Sequence, residues 1–325
     1  MKLVNLLKKI ITGQARAYER PPRPPAIILA AFGTTHPGAL PALENIETRV
    51  KKAFPDYEVR LAFTSNHIRD RWHQRANDPE YRKEHPGVGE RFFRINNVLS
   101  QLAHFQEYGA RLILVQSLLV ADGEEFGDLK NLIGSLKELD TGQRSLHPFP
   151  WLGLGPPALG LGRGTKESLD RAAASLSSLG DLADSGEAAV VFMAHGNERF
   201  DLPVFGELEK TLRSRYGQDI FIGMVEGHPS LEEVRAKVAS AVKPGRHLVL
   251  APLMVVAGDH ALNDLAGGDD SWVICFRQMG YNVSVSLKGL GSLDGWADIY
   301  VESLRQVERE VLAEKAKEEN FSEVA

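Results

Sequence analysis

The sequence predicts an α/β protein of two similar lobes, each a parallel sheet flanked by helices, with an active cleft between them. Three observations predict it. Blocks of the first half recur in the second at nearly constant spacing. Short apolar runs alternate with stretches of helical periodicity in both halves. The chain has 325 residues, long for a single hydrophobic core.

The repetition is the most specific of the three. Val115 to Leu129 (VQSLLVADGEEFGDL) lies over Ala251 to Leu265 (APLMVVAGDHALNDL) at an offset of 136 residues. Gly155 and Gly291 fall at the same offset. Ala26 to Gly33 (AIILAAFG) matches Ala189 to Gly196 (AVVFMAHG) at 163, and LPAL from Leu40 matches LPVF from Leu202 at 162. Within this frame Phe32 becomes His195, Ser65 becomes roughly Glu226, and Glu124 becomes His260. The shared blocks read as scaffold and the differences as candidate chemistry.

The elements follow in order. Ile27 to Ala31 is a short apolar run ended by Gly33, the pattern of a strand buried on both faces. Leu40, Leu43, Ile46, Val50 and Phe54 recur at helical spacing. Val59 to Phe63 is the next strand, and His67 to Pro86 is a polar stretch dense in Arg, His and Asp. Phe92 to Phe105 carries a second helix, Leu112 to Val120 a third strand and Phe126 to Leu136 a third helix. Phe149 to Leu154 and Lys166 to Leu179 complete the first half as strand and helix. In the second half Val190 to Met193, Phe221 to Val225, His247 to Val256 and Val283 to Leu287 read as strands. Phe205 to Tyr216, Leu231 to Val242, Asp270 to Met279 and Trp296 to Leu312 read as helices. Such alternation implies parallel sheets covered by helices. The expected organisation is a tail and linker over 1–25, a first lobe over 26–182, a second lobe carrying the metal ligands over 188–316, and a charged, fraying tail over 317–325.

Bulk composition narrows the function. Net charge is −5 with no basic block, which argues against a nucleic-acid partner. The single cysteine, Cys275, sits in the apolar string WVICF and reads as a buried structural thiol. One cysteine excludes an internal disulfide framework and a cysteine metal cluster. No run reaches the roughly 20 apolar residues of a membrane helix. At the N-terminus Lys8 and Lys9 interrupt the apolar stretch, so it reads as a short amphipathic helix or tail rather than a signal peptide. Pro21 to Pro25 (PPRPP) reads as a stiff linker.

His195, Glu226 and His260 each follow the end of an expected strand in the second half. Strands of one sheet end at one rim, where ligands of open α/β sheets bind. Two imidazoles and a carboxylate make a borderline N/O set suited to Co(II), Fe(II), Ni(II) or Zn(II) and poor for Ca or Mg. Three protein ligands leave coordination positions open, as a catalytic or transfer site requires. Gly196, Gly227 and Gly258 beside them suit tight turns or close approach to a flat ligand. Arg69, Arg71, His73, Arg75, Arg91 and Arg94 are candidate carboxylate partners, or a solvated loop with local ion pairs. Phe32 reads as a core residue, with packing on the face of a flat ligand as the alternative. His36 and His228 read as turn residues, held in reserve as ligands. His67, His73, His85, His104, His147 and His247 have no assigned role as ligands. No G-x-G-x-x-G opens a helix and no G-x-x-x-x-G-K-[ST] occurs, so a nucleotide enzyme is disfavoured.

Taken together, AFGTTHPGA, VQSLLVADGEEF, VFMAHGN, MVEGHPS and PLMVVAGDHALNDLAGGDDSW resemble the anaerobic, CbiK-type cobalt chelatases. These are ferrochelatase-like class II enzymes that insert Co(II) into sirohydrochlorin. The resemblance runs from about Ala26 to about Val311. It implies two α/β lobes enclosing a tetrapyrrole cleft, with His195 and His260 as metal-binding histidines and Glu226 completing the site. It also implies a functional acid in the GEEF segment, Glu125 or its neighbour Glu124. The expected metal is Co(II) as substrate, with no organic cofactor, and the expected partner is sirohydrochlorin. Cytoplasmic location and a place in cobalamin biosynthesis are implied in the same way. A homo-oligomer is compatible with the N-terminal 25 residues and the long stretch from Thr141 to Gly186. The ligand set leaves iron or nickel insertion open, as well as a non-catalytic tetrapyrrole or metal carrier.

Overall fold

The computed structural model describes residues 23–139, 147–199 and 202–324. The expected N-terminal helix or tail, the first two linker prolines and the start of the Thr141 stretch lie outside the described residues. The first sheet is built from β1 (Ala26–Ala31), β2 (Glu58–Phe63), β3 (Leu112–Ser117) and β4 (Trp151–Gly155) in the order β2-β1-β3-β4. The second uses β5 (Ala189–Gly196), β6 (Ile220–Glu226), β7 (His247–Pro252) and β8 (Asn282–Val285) in the order β6-β5-β7-β8. All pairings in both sheets are parallel. Two four-stranded sheets of identical topology make the duplication a structural fact.

Helices follow the strands. In the first half they are α1 (Leu40–Ala53), α2 (Asn66–Ala76), α3 (Pro79–Glu84), α4 (Val98–Glu107), α5 (Glu124–Lys137), α6 (Lys166–Ser175) and α7 (Ser177–Asp184). In the second they are α8 (Val204–Tyr216), α9 (Leu231–Ala241), α10 (Trp272–Gln278) and α11 (Asp294–Val324). Two differ from the apolar pattern, the first because a cap intervenes. The run from Phe92 is a 3₁₀ turn over Phe92–Arg94, and the α-helix begins only after Asn97, whose side chain accepts from Ser100 N at 2.8 Å. The Lys166 helix breaks at Leu176 into α6 and α7. The polar stretch after Phe63 contains α2, which buries only Ile68, Arg69 and Trp72. One i, i+4 apolar pair is too sparse a stripe to read as a helix.

Period-two burial decides which way each strand faces. In β1, Ile27, Leu29 and Ala31 join one core while Ala26, Ile28 and Ala30 join another. In β5, Val190, Phe192 and Ala194 join the same core as Ile27, and Ala189, Val191 and Met193 join a third. The 163-residue offset therefore preserves side-chain direction, and the inner faces of both sheets share one continuous core. The glycine pair does not survive. Gly155 lies in β4 opposite Gln116, whereas Gly291 lies in a 3₁₀ turn beyond the end of β8. That offset matched two residues, not two positions.

The lobes also exchange helices. The last helix, α11, packs on β4, β3 and α1 of the first half, and continues to Val324 where a fraying tail was expected. A Cβ on Gly153 would lie 2.5 Å from Val307 Cγ1, so the strand glycine is what lets this helix approach. Tyr300 Oη donates to Leu119 O at 3.1 Å. Reciprocally, α6 and α7 pack on α8, with α7 also on β5, and Tyr216 Oη donates to Ala173 O at 3.3 Å. Buried Val307 and Val311 each contribute on the order of 1.5–3 kcal/mol, an upper figure given a compact unfolded chain. That burial, not helix propensity, sets where α11 lies.

Candidate active site between the two sheets

The central strands of the two sheets are β1, β3, β5 and β7, and the loops after all four line one cavity of about 540 Å³. That volume is within the usual range for small-ligand and cofactor sites. Its walls are Ala31 to His36, Leu118 to Ala121 with Gly123 and Glu125, His195 to Asn197, and Leu253 to Val256 with Gly258 to His260. Parallel strands ending at a common rim bring together residues more than 200 positions apart.

Two glycines shape the rim at equivalent positions. Gly33 has φ +104° and Gly196 has φ +79°, a region costly for residues bearing a Cβ. A Cβ at Gly196 would lie 1.8 Å from Glu226 O, so the His195 turn rests directly on the end of β6. At Gly33 a Cβ would lie 2.7 Å from the Phe63 ring.

His195 and His260 come together edge-to-face, with ring centroids 4.6 Å apart and planes at 85°. Both are part-buried. The Nδ1 of His195 is 3.0 Å from Gly196 O, and a carbonyl can only accept, so Nδ1 carries the proton. The Nδ1 of His260 donates in the same way to Asp264 Oδ2 at 2.7 Å. With each ring neutral, its Nε2 carries the lone pair that binds a metal or accepts a proton. A carboxylate behind an imidazole fixes ring orientation and raises basicity. Asp264 lies in a single π-helical turn over Ala261–Leu265. Its i+4 spacing from His260 is the sequence signal of this pairing.

The remaining expected residues divide. Glu125 is part-buried in the cavity wall, whereas Glu124 is exposed and 3.8 Å from Arg199 across the lobe boundary. Glu226 ends β6 in register with Gly196 but is not part of the cavity wall. Among the described residues no group of three or more His, Cys, Asp or Glu side chains is arranged to hold a metal. His36 and His67, from the first lobe, also line the cavity. His36 Nε2 lies 3.4 Å from Asp259 Oδ1 across the lobes. His228 is exposed and pairs with Glu233 at 2.7 Å. Phe32, expected in the core, is 47% exposed in the cavity wall.

None of the six candidate carboxylate partners lines the cavity. Arg69 is buried and donates to Phe63 O at 2.6 Å and Thr64 O at 2.9 Å. Burial lowers its pKa from the ordinary arginine value, against the opposing pull of Asp70. Arg75 donates to Thr35 O at 2.5 Å and stacks over Trp72 and Tyr81. Arg91 pairs with Glu44 and Glu47, and His73 Nε2 bonds Ile95 O at 2.9 Å. Arg69 and Arg75 thus brace the first-lobe rim from behind.

Fold and site together define a two-lobed, chelatase-like α/β protein. The solved structure of SirB from Bacillus subtilis with Fe3+ matches with a TM-score of 0.54 and 13% identity, covering 87% of this chain and 95% of that one. The family model described as cobalt chelatase (CbiK) matches residues 25–309, and the chain belongs to that family of metal-inserting enzymes. Sirohydrochlorin cobaltochelatase CbiKC of Nitratidesulfovibrio vulgaris is 29% identical over 281 residues, 86% of this chain and 88% of the relative. Sirohydrochlorin cobaltochelatase of Salmonella typhimurium is 26% identical over 283 residues, 86% of this chain and 95% of the relative. Among the described residues no helix is long and apolar enough to cross a membrane.

Proposed function

We propose that this enzyme is a sirohydrochlorin cobaltochelatase, exchanging two inner-ring protons of the macrocycle for Co(II) in cobalamin biosynthesis. The observation that carries the reading is the pair His195 and His260, both with Nδ1 committed to an acceptor and Nε2 free to act. Insertion requires the metal to lose water, the ring nitrogens to expose lone pairs, and two protons to leave. Neutral imidazoles hold a borderline metal yet release it to four macrocycle nitrogens. In this reading His260, backed by Asp264, is a metal ligand. His195, backed only by a carbonyl, is a ligand and the base that takes one pyrrole proton. Glu125, from the opposite lobe, takes the second proton or holds the ring. Glu226 is ligand or proton acceptor beside Gly196.

The test is absorbance-monitored insertion of Co(II) into sirohydrochlorin, run beside Fe(II) and Ni(II). We expect conversion by the wild type with a rate reduced at least about 100-fold in His195→Ala, as for loss of a general base. Glu125→Gln should fall well below Glu124→Gln, which should stay within about twofold of wild type because an exposed ion pair contributes little. Full activity in His195→Ala would overturn the assignment. Stoichiometric tetrapyrrole binding without acceleration by the wild type would favour a carrier.

A further inference from the structure

We infer that Phe32 is the aromatic platform on which one face of the tetrapyrrole ring rests, making it a substrate-binding residue supplied by the lobe that lacks the metal-binding histidines. The inference rests on the chelatase reading above and adds a residue to it. Phe32 follows the end of β1 as His195 closes β5, at the 163-residue offset that the side-chain directions of the two strands bear out. Both line the one cavity. Corresponding positions of the two sheets thus carry an aromatic ring and an imidazole, and a flat ligand between the lobes meets both.

Phe32 is exposed because the fold leaves it nowhere else to go. Beneath the turn, Phe63, Ile68, Trp72 and Phe92 already fill the core. The space is tight enough that even a Cβ on Gly33 would lie 2.7 Å from the Phe63 ring. The backbone around Phe32 is fixed on both sides. Ala31 O accepts from Thr64 N at 2.8 Å and Phe32 O from Ser65 N at 3.3 Å. Thr34 O accepts from Trp72 Nε1 at 2.8 Å and Thr35 O from Arg75 Nη1 at 2.5 Å. A large apolar side chain held in a wall rather than in the core is ordered in advance for an apolar ligand face. Among the described residues the cavity wall around it carries no Lys or Arg, and its basic groups are His36, His67, His195 and His260. Recognition of the ring interior therefore falls to apolar packing, with Phe32 as its largest exposed component.

The experiment compares Phe32→Ala, Phe32→Leu and Phe32→Trp in the full chain. Sirohydrochlorin affinity is read by spectral titration without metal, and Co(II) affinity by calorimetry without tetrapyrrole. Phe32→Ala should weaken sirohydrochlorin binding by about 10-fold or more, as loss of an aromatic contact does. Phe32→Trp should restore binding and Phe32→Leu should fall between. Co(II) affinity should stay within about twofold throughout, because Phe32 offers no donor atom. Because the ring is half exposed, unfolding midpoints should hold, and circular dichroism checks this. Unchanged sirohydrochlorin affinity in Phe32→Ala, with a wild type that binds and inserts, overturns the inference alone. Equal loss of Co(II) affinity overturns it as well, by showing a structural effect. A wild type that neither binds nor converts sirohydrochlorin sinks the chelatase reading itself.

Discussion

The loops after β1 and β5 differ more than the strands they terminate. Both strands sit second in sheets of the same order, alternate inward and outward in the same phase, and have a glycine of positive φ at equivalent positions, just past the end of β1 and at the end of β5. One delivers Phe32 and the other His195 into the cavity. The loops after β3 and β7 diverge further. In the first sheet the chain enters α5 directly at Glu124. In the second it makes a π-helical turn after His260, which brings Asp264 behind that imidazole. The lesson is physical. Strand positions are constrained by two packed faces and a hydrogen-bonded ladder, so copies stay alike. Strand ends are constrained only by turn geometry, so copies can diverge into different chemistry without disturbing the scaffold.

That comparison can be broken at the glycines. Gly196→Ala should destabilise by about 3–5 kcal/mol, since its Cβ would meet the Glu226 carbonyl, which belongs to a strand and cannot give way. Gly33→Ala should cost only about 1–3 kcal/mol, since the obstructing atom is in the Phe63 side chain. Chemical denaturation measures both, and the reverse order would show that the two turns are not held in the way described.

A second prediction sharpens the difference between the two imidazoles. Asp264→Ala should reduce Co(II) affinity about 10-fold or more, as removal of a carboxylate behind a ligating histidine does. Asp264→Asn, whose carbonyl oxygen can still accept from Nδ1, should recover part of it. Calorimetry without tetrapyrrole is the measurement, and equal affinity in all three proteins would deny Asp264 its orienting role.

The smallest effect concerns the exchanged helix. Arg49 of α1 forms two bonds to Asp298 of α11, at 2.7 and 2.6 Å, and lies 3.1 Å from Asp294. These groups are largely solvated, so Arg49→Met should cost no more than about 1 kcal/mol. The loss should shrink in high salt as screening increases. A larger, salt-independent loss would mean that the docking of α11 depends on this pair rather than on Val307 and Val311.

Much of this was legible from residue order. The central strands emerged because burial on both faces leaves near-continuous apolar runs such as AIILAA and AVVFMA, whereas the edge strand β8 (NVSV) is only part-buried and showed as alternating valines. His195 and His260 stood out because duplication supplied a plainer copy for comparison. Helix α2 was missed because its buried face is only Ile68, Arg69 and Trp72. The arginines of that region have the composition of a carboxylate-binding patch, yet Arg69 and Arg75 instead satisfy backbone carbonyls of the rim.

Local order in the chain was enough for the strands, their parallel arrangement and the pair of histidines, because periodicity and repetition are properties of neighbouring residues. Three matters depended on packing in space. The choice between Glu124 and Glu125 as the cavity-facing acid follows from the direction in which α5 leaves its turn. The exposure of Phe32 follows from a core already filled by Phe63 and Trp72. The crossing of α6, α7 and α11 between sheets follows from which apolar faces the duplicated halves leave uncovered. Each is a competition for the same space among segments far apart in the chain, and no window of sequence contains both competitors.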